Sequence, residues 1–398
     1  HYPFKQYETA RGVRRSAIHD RLVAAGACHG EAFGWERPNW YSEPGSSPRY
    51  EYSYGRQNWF EANAAECKAV REAVGLFDQS SFAKFRLEGR DAMTVLNRVC
   101  ANDVDVAPGR LVYTQWLNKK GGIEADLTVT RLSETAYLIV TGAETEVKDF
   151  NWLKRHIPED AHAVLTNISS AMGVISIMGP KARDLLQSIC PNDLSHEAFP
   201  FATSQEIELG YALVRASRIT YVGELGWEIY VPVADGRKVW EALIAAGKDE
   251  GLMACGYRAI ESLRLEKGYR AWAGEINTET TPYEAGLGFA ISKKKEKFLG
   301  KDALTSAKQT RKLVAMTFDD IRQVPLGNEP VRINGNVVGR VKSGGQGYTI
   351  NKAIGYAYLP TEHTTPGTSV DVEFFGTWAT GVICEEPLFD PENSKIRL

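Results

Sequence analysis

YTQWLNKKGGIEADLTVT, residues 113–130, has the pattern of a β-hairpin. A polar, glycine-containing turn at 118–122 separates Tyr113–Leu117 from the alternating run Leu127–Val129, and turns of this kind join antiparallel strands. Asp126 falls at the entrance to the second strand, although aspartate is disfavoured inside strands. Two interpretations are open. Asp126 ends a turn by accepting bonds from backbone amides, or its carboxylate is fixed on a rigid strand and faces a ligand.

A strand–glycine–helix pattern occurs twice along the chain. FRLEGRDAMTVL at 85–96 matches ISIMGPKARDLL at 175–186, ninety residues further on. The repeat predicts two related α+β domains with mainly antiparallel sheets, at residues 61–165 and 166–300. Aligning Gly121 with Gly223 places Asp126 over Glu228. We therefore expect two carboxylates at equivalent positions of two hairpins, the second within 218–233, facing one shared cavity.

The two ends of the chain differ in residue composition. Residues 1–60 contain a Pro/Gly/Ser stretch at 42–48 and too few aliphatic residues for a core, which predicts a helix at Ser16–Ala25 followed by an extended arm. The chain opens at His1 without an initiator Met, so we expect that something precedes it. Residues 301–398 alternate short β-rich segments with glycine turns, which predicts a small Greek-key β-barrel. Four aromatic residues are expected to hold the arm against another surface, or alternatively to contact a further domain: Trp35, Trp40, Trp59 and Phe60.

Composition limits the possible partners. With 398 residues and a formal net charge of -3, the chain gives no basis for a nucleic-acid partner. It has no apolar run near the roughly 20 residues that span a bilayer, so we expect no membrane partner. The six cysteines are widely spaced, which argues against a metal site or a disulfide framework. A reducing compartment suits them, so we expect a cytoplasmic location, or the mitochondrial matrix in a eukaryote.

The signatures of several common enzyme classes are missing. The chain has no G-x-G-x-x-G at a strand–helix junction, no P-loop motif and no G-x-S-x-G, and its seven histidines lack metal-ligand spacing. The remaining inventory consists of carboxylates and aromatic rings. It suits a flat heterocycle rich in hydrogen-bonding groups, because a carboxylate can accept two parallel N–H donors and a tyrosine can pack on the ring face.

Several motifs occur together with the hairpin. They are DQSSFAK at 78–84, YVGELGWE at 221–228, GYRAIESLRLEKGYRAW at 256–272 and TPYEAGLGFA at 281–290. In combination they resemble the glycine-cleavage T-protein (aminomethyltransferase) family over essentially the whole chain. HDRLVAAGACHGEAFGWERPNW at 19–40 is similar to the segment that joins the two halves of sarcosine and dimethylglycine dehydrogenases. The resemblance is closest to their folate-binding half; a flavin-binding half is absent.

The resemblance implies a fold and a set of site residues. The fold is a three-domain cloverleaf with tetrahydrofolate in a central opening. Asp126 matches the family's essential aspartate, and Tyr221 and Glu228 match the pair that holds the pterin. Tyr113 matches a lining tyrosine, and Phe289 lies where the family often has an aromatic residue near the aminobenzoyl group.

The chain departs from the family at the position that contacts the folate tail. Where T-proteins have an arginine, the helix predicted at 257–267 has Ile260. Arg258, or the lysines of the basic run KKKEK at 293–297, are candidate replacements. Such a run is usually a solvated turn, and a site for a polyanionic tail is the alternative.

The reaction implied is capture of a one-carbon unit. Tetrahydrofolate takes up the iminium or formaldehyde carbon produced from an N-methylated amine, which leaves 5,10-methylenetetrahydrofolate. A flavin-dependent dehydrogenase domain or subunit is the expected partner. Two other classes are open: a stand-alone demethylase that moves a methyl group directly from a sulfonium, quaternary ammonium or methyl ether, and a non-catalytic folate-binding subunit.

Overall fold

The chain forms two β-sheets covered by helices, a closed β-barrel and an N-terminal hairpin. This architecture is seen in a computed structural model that describes residue 4 and residues 6–398. It agrees with the predicted α+β cloverleaf of two related sheets and a barrel. In the described residues, no helix is long and apolar enough to cross a bilayer.

The N-terminal arm is a short helix followed by a hairpin. Its elements are α1 (His19–Ala24), β1 (Ala27–Ala32) and β2 (Trp35–Tyr41). The prediction of an extended arm was wrong in one respect, since β1 and β2 pair with each other as antiparallel strands. All four aromatic residues predicted to hold the arm in place are buried. Trp40 and Trp59 share a small core with Cys28, so the arm is attached by apolar packing.

Residues 60–267 form the two sheets. The elements of the first part are α2 (Phe60–Glu72), β3 (Val74–Asp78), β4 (Ala83–Glu88), α3 (Ala92–Val99), β5 (Leu111–Leu117), β6 (Ile123–Ser133), β7 (Ala136–Thr141), α4 (Glu146–His156) and β8 (Val164–Asn167). Those of the second part are β9 (Met172–Met178), α5 (Ala182–Ser188), β10 (Ser204–Leu209), β11 (Ala212–Ser217), β12 (Gly226–Pro232), α6 (Gly236–Gly247), β13 (Leu252–Ala254) and α7 (Tyr257–Lys267).

The internal repeat is confirmed by the strand order of the two sheets. The first sheet has the order β5-β6-β7-β4-β8, and the second has β10-β11-β12-β9-β3 with β13 added at its edge. Ala136 faces Glu88 in the first sheet, and Gly226 faces Met178, ninety residues further on, in the second. The glycines that end β4 and β9 have nearly the same backbone angle, with φ of +140° at Gly89 and +139° at Gly179.

The alignment of Asp126 with Glu228 was wrong. The register shows that β12 is the counterpart of β7, so Glu228 corresponds to Leu138, which faces Arg86 as Glu228 faces Ser176. Asp126 lies on β6, whose counterpart is β11. The error arose because residues 218–225 form a loop, whereas a strand was predicted there. The glycine of that loop therefore matches no hairpin turn.

One strand crosses between the sheets. β3 precedes the first sheet in the chain but pairs with β9 in the second. It occupies the place that β8 has beside β4 in the first sheet. The strand beside β4 in the first sheet, β8, thus follows that sheet in the chain, whereas the strand beside β9 in the second sheet, β3, lies far upstream. The domain boundaries at 60/61, 165/166 and 300/301 stay a prediction.

The C-terminal part is a closed barrel of six strands in the order β14-β17-β16-β15-β18-β19. Its elements are the short helix α8 (Lys301–Ser306), β14 (Arg311–Phe318), β15 (Pro330–Ile333), β16 (Asn336–Gly347), β17 (Lys352–Pro360), β18 (Ser369–Phe374) and β19 (Thr377–Cys384). Buried ion pairs join α7 and the loop after it to the barrel region, including Lys267–Asp390 at 3.0 Å and Arg270–Glu386 at 2.6 Å. α7 is therefore held against the barrel, and it also contacts α2 and β2.

Candidate functional site

Asp126 lies on the open face of the first sheet. In β6, Ile123, Ala125, Leu127 and Val129 are buried, while the alternate residues Glu124, Asp126 and Thr128 are only half-buried. This period of two places the apolar residues against the helices and Asp126 on the opposite face. The hairpin prediction is confirmed, although Asp126 lies within the strand and not at its entrance.

Two side chains of β5 hold the Asp126 carboxylate. Gln115 faces Asp126 directly across the hairpin, and Tyr113 lies two residues earlier on the same face. The Tyr113 hydroxyl donates to Oδ1 of Asp126 at 2.6 Å, and Nε2 of Gln115 donates to the same oxygen at 2.8 Å. The partners seen are side chains, so the turn-ending interpretation of Asp126 does not describe this geometry.

The protonation of Asp126 is shifted by its surroundings. Burial raises the pKa of Asp126 to about 6, and the hydrogen bonds from Gln115 and Tyr113 offset part of that rise. The carboxylate therefore changes charge just below neutral pH. A carboxylate with such a pKa in a partly open position is a candidate for a functional group.

Gln115 was not singled out from the sequence. Its Nε2 is bonded to Asp126, but its Oε1 is buried and has no hydrogen-bond donor among the described residues. A buried acceptor without a donor costs about 1–3 kcal/mol, so it calls for a partner. The predicted hairpin contained a signal for Gln115, because the residue directly opposite Asp126 on the partner strand lies on the same face of the sheet.

Aromatic rings surround this carboxylate. The Tyr113 ring stacks on Phe289 with centroids 5.9 Å apart, and Phe289 itself is 75% exposed. Tyr221 stacks on Tyr269 at 5.8 Å and donates its hydroxyl to the carbonyl of Arg270. Burial raises the pKa of Tyr221 and of Tyr113, and in both cases the charge of Asp126 adds to the rise. Four of the predicted site residues are thus brought together.

Glu228 lies on the facing side of the second sheet. The Tyr230 hydroxyl donates to Oε2 of Glu228 at 2.6 Å, and burial raises the pKa of Glu228. Tyr230 packs with Val140 of β7, and Val140 faces Thr128 on the same side of the sheet as Asp126. The two carboxylates therefore occupy the inward faces of the two sheets, without a direct contact between them among the described residues.

Arg258 and Lys295, two of the candidates for the folate tail, have other partners. The guanidinium of Arg258 lies 3.8 Å from the Trp59 ring and donates to the Tyr50 hydroxyl at 3.3 Å, so it is directed toward the arm. Nζ of Lys295 donates to the carbonyl oxygens of Cys100 at 2.6 Å and Asn102 at 3.0 Å, just beyond the C-terminus of α3. Lys295 thus has a structural role in this fold.

Two clefts lie away from Asp126. The larger, of about 760 Å³, separates α3 from residues 295–302, and the other, of about 490 Å³, lies between residues 277–280 and the barrel. The larger cleft is lined by Lys295 and Lys297 of the basic run, and neither cleft is lined by Asp126, Tyr113, Tyr221, Glu228, Phe289 or Arg258. The site is therefore identified by its hydrogen bonds and rings, and not by the size of a cavity.

Comparison with known proteins identifies the family. The GCVT N-terminal domain matches residues 18–295, and the glycine cleavage T-protein C-terminal barrel domain matches residues 311–390. The chain is 41% identical to 4-methylaminobutanoate oxidase (formaldehyde-forming) of Paenarthrobacter nicotinovorans, over 100% of this chain and 48% of that protein. It is 36% identical to mitochondrial dimethylglycine dehydrogenase of Homo sapiens, over 100% of this chain and 46% of that protein. It thus spans about half the length of these relatives.

The fold has a close structural counterpart. The glycine cleavage system aminomethyltransferase T from Bartonella henselae superposes with a TM-score of 0.82 at 25% sequence identity, covering 95% of this chain and 99% of that one. The match extends over both sheets and the barrel. The chain therefore belongs to the glycine cleavage T-protein family of folate-dependent aminomethyltransferases.

Proposed function

We propose that this chain transfers the one-carbon unit released from an N-methylated amine to tetrahydrofolate, which gives 5,10-methylenetetrahydrofolate. Family membership supports folate-dependent one-carbon transfer. The names of the relatives support the choice of amine, because a 4-methylaminobutanoate oxidase and a dimethylglycine dehydrogenase both act on N-methylated compounds. Since the chain spans about half of those proteins, we propose that a flavin-dependent dehydrogenase domain or subunit produces the electrophilic carbon.

The observation that carries the proposal is the arrangement of acceptors at Asp126. Both donors from β5 end on Oδ1, while Oε1 of Gln115, on the same side chain, has no donor in the part of the chain that the structure describes. Such a pair of acceptors fits a ligand edge that bears N–H groups, as a reduced pteridine does. The exposed Phe289 ring and the Tyr113 ring beside it supply apolar contact for a flat group.

Each side chain has a defined part in the proposal. When bound, tetrahydrofolate supplies the nitrogen that takes up the carbon. Asp126 orients that nitrogen and stabilises developing positive charge, a contribution of about 2–4 kcal/mol for a preorganised electrostatic group. Glu228 accepts hydrogen bonds from the amino-pyrimidinone edge, and Tyr221 packs beside it. Arg258 is a candidate contact for the tail.

The proposal is tested by incubating the chain with tetrahydrofolate and formaldehyde, and with an N-methylated amine in the presence and absence of a flavin-dependent dehydrogenase. We expect methylenetetrahydrofolate to form from formaldehyde faster than in the same mixture without the protein, and to form from the amine only when the dehydrogenase is present. Turnover of a methyl donor without any flavoprotein would instead favour the stand-alone demethylase. Folate binding without transfer from any donor would favour the non-catalytic subunit.

The proposal also includes a cellular location. Dimethylglycine dehydrogenase of Homo sapiens is described as mitochondrial. We propose the mitochondrial matrix if the chain is eukaryotic, and the cytoplasm otherwise. Fractionation followed by immunoblotting of the source cells tests this location.

A further inference from the structure

Arg37 of the arm has an unusual set of contacts. Its guanidinium lies 3.9 Å from the ring centroid of Tyr257, at the start of α7. Its Nε is buried and has no hydrogen-bond acceptor among the described residues. Within that same part of the chain, no carboxylate lies within ion-pair distance of Arg37. The ring contact is therefore the interaction that holds this cation.

Arg37 as a whole is half-buried, whereas the arginines near α7 whose side chains are buried are paired with acids. Arg71 bonds to Glu266 at 2.8 Å, and Arg264 bonds to Glu275 at 2.7 Å. A third, Arg270, bonds to Glu386. A buried guanidinium normally has such partners, because an unpaired charge costs free energy when water is removed from it. Arg37 differs from them because it has no carboxylate partner among the residues that the structure describes.

Arg37 also lies beside the position where the family's arginine is lost. Ile260 is one turn along α7 from Tyr257, and the Tyr257 and Tyr221 rings pack against the same apolar cluster as Ile260. The Tyr257 hydroxyl lies 3.0 Å from that of Ser81, in the DQSSFAK motif. The apolar cluster thus connects Arg37, through Tyr257, to Tyr221 of the candidate site.

We propose that Arg37 binds a carboxylate of the ligand and so takes the place of the arginine missing at position 260. The proposal rests on the proposed function. The ligand group is a terminal carboxylate, and the glutamate tail of tetrahydrofolate is the source that the position beside Ile260 favours. A planar guanidinium stacked on a ring is preorganised for a bidentate bond to a carboxylate. The N-methylated amine is the other source when it also carries a carboxylate.

Arg258 is the competing residue, and the contacts separate the two. Arg258 already lies between Trp59 and Tyr50 and donates to the Tyr50 hydroxyl. Arg37 has a buried Nε for which residue 4 and residues 6–398 provide no acceptor. The donor capacity that remains for a ligand is therefore greater at Arg37.

The test compares ligands with and without the tail. The variants Arg37→Ala, Arg37→Lys and Arg258→Ala are titrated by calorimetry with tetrahydrofolate and with 6-methyltetrahydropterin, which has the ring system but no glutamate. We expect Arg37→Ala to raise the Kd of tetrahydrofolate at least tenfold and to leave that of 6-methyltetrahydropterin unchanged. Arg37→Lys should keep part of the affinity, and Arg258→Ala should have the smaller effect.

Arg14→Ala is the matched control, because Arg14 is an arm arginine that stacks on Trp35 and has its own partner in Glu146. It should change neither Kd. A second titration adds a carboxylate-bearing N-methylated amine to protein saturated with tetrahydrofolate. If Arg37→Ala loses affinity for the amine and keeps its affinity for tetrahydrofolate, the carboxylate that Arg37 binds belongs to the amine.

Unchanged affinity of Arg37→Ala for tetrahydrofolate, 6-methyltetrahydropterin and the amine overturns the proposal, as does equal weakening of tetrahydrofolate and 6-methyltetrahydropterin. A large loss confined to Arg258→Ala would assign the tail to Arg258. If the unmodified chain binds neither pterin, the proposed function fails together with this inference.

Discussion

The two sheets share a strand order but carry their carboxylates on different strands. In the first sheet Asp126 lies on β6, whereas in the second Glu228 lies on β12, the counterpart of β7. The residue equivalent to Glu228 is Leu138, which is buried in the apolar cluster between the sheets. Counting back from Thr130 and Ser217, which face Leu138 and Glu228, the residue equivalent to Asp126 is Leu213, and its side chain is exposed.

This difference shows what a repeat does and does not imply. The repeated topology supplies two facing surfaces, since each sheet buries one face against its helices and turns the other toward its counterpart. The chemical groups on those surfaces are chosen position by position. A symmetric scaffold can therefore hold an asymmetric ligand, which is what a pterin with one reactive edge and one recognition edge requires.

The largest expected effect tests the shared part of the two sheets. A Cβ at Gly89 would lie 1.9 Å from the carbonyl oxygen of His162, and one at Gly179 would lie 2.3 Å from that of Ala73. These carbonyls precede β8 and β3, the strands that hold the same place in the two sheets. Each substitution to alanine should lower the free energy of unfolding by about 3 kcal/mol or more, as measured by urea unfolding.

Gly335→Ala is the control for this pair. Gly335 also has a positive φ, +80°, but no atom of the described residues lies within 4 Å of an added Cβ. Its substitution should cost only about 1 kcal/mol from backbone strain. If one of the two sheet glycines tolerated alanine as well as Gly335 does, the two halves would not be equivalent at this corner.

The next largest effect concerns Asp126, the carboxylate that has no equivalent in the second sheet. Asp126→Asn keeps the shape of the side chain and removes its charge. We therefore expect the Kd of tetrahydrofolate to change by less than about threefold and the activation free energy of transfer to rise by about 2–4 kcal/mol. Single-turnover kinetics with formaldehyde measures the rate. Glu134→Gln, an exposed carboxylate just past the same strand, should have no effect. Equal rates in the two variants would remove Asp126 from the reaction.

Glu228 should affect binding more than rate. Glu228→Ala removes the proposed acceptor for the amino-pyrimidinone edge and should raise the Kd of tetrahydrofolate at least about tenfold, or about 1.4 kcal/mol. Glu206→Ala is the control within the second sheet, because Glu206 is exposed and pairs with Arg215 on β11. An unchanged Kd in Glu228→Ala would leave the second sheet without a role in recognition.

The smallest effect is a dependence on pH. Burial raises the pKa of Asp126 to about 6, so the charged form is lost as the pH falls through that value. If the charge is needed, kcat/KM for transfer should rise by about tenfold between pH 5 and pH 7 and then level off. The rise should vanish in Asp126→Asn. A profile shared by both proteins would assign the titration to another group.

Local patterns in the sequence predicted most of the fold. The hairpin at 113–130, the repeated glycine turns and the β-rich C-terminal segment were found in the structure as predicted, because each is encoded by residues close together in the chain. The crossing of β3 into the second sheet could not be predicted in this way. Its five residues are all buried, as any central strand's would be, and nothing local specifies the partner.

The residues of the candidate site also differ in whether local sequence could predict them. Asp126, Tyr113, Tyr221, Glu228 and Phe289 were predicted as site residues from motifs and stay predictions, whereas Gln115 was not singled out because only the register shows that it faces Asp126 across the hairpin. Arg37, which we propose as a ligand contact, was not singled out for a stronger reason, since 220 positions separate it from Tyr257, whose ring it contacts. Distances along the chain carry no information about such pairs.

The amino-acid order alone thus determined which segments became strands and helices, because hydrophobic period and turn residues act over a few positions. Only the tertiary structure decided which strands are equivalent, and so which surfaces Asp126 and Glu228 occupy. Strand pairing depends on contacts between distant segments that compete for the same apolar neighbours, and that competition is resolved only when the whole chain packs.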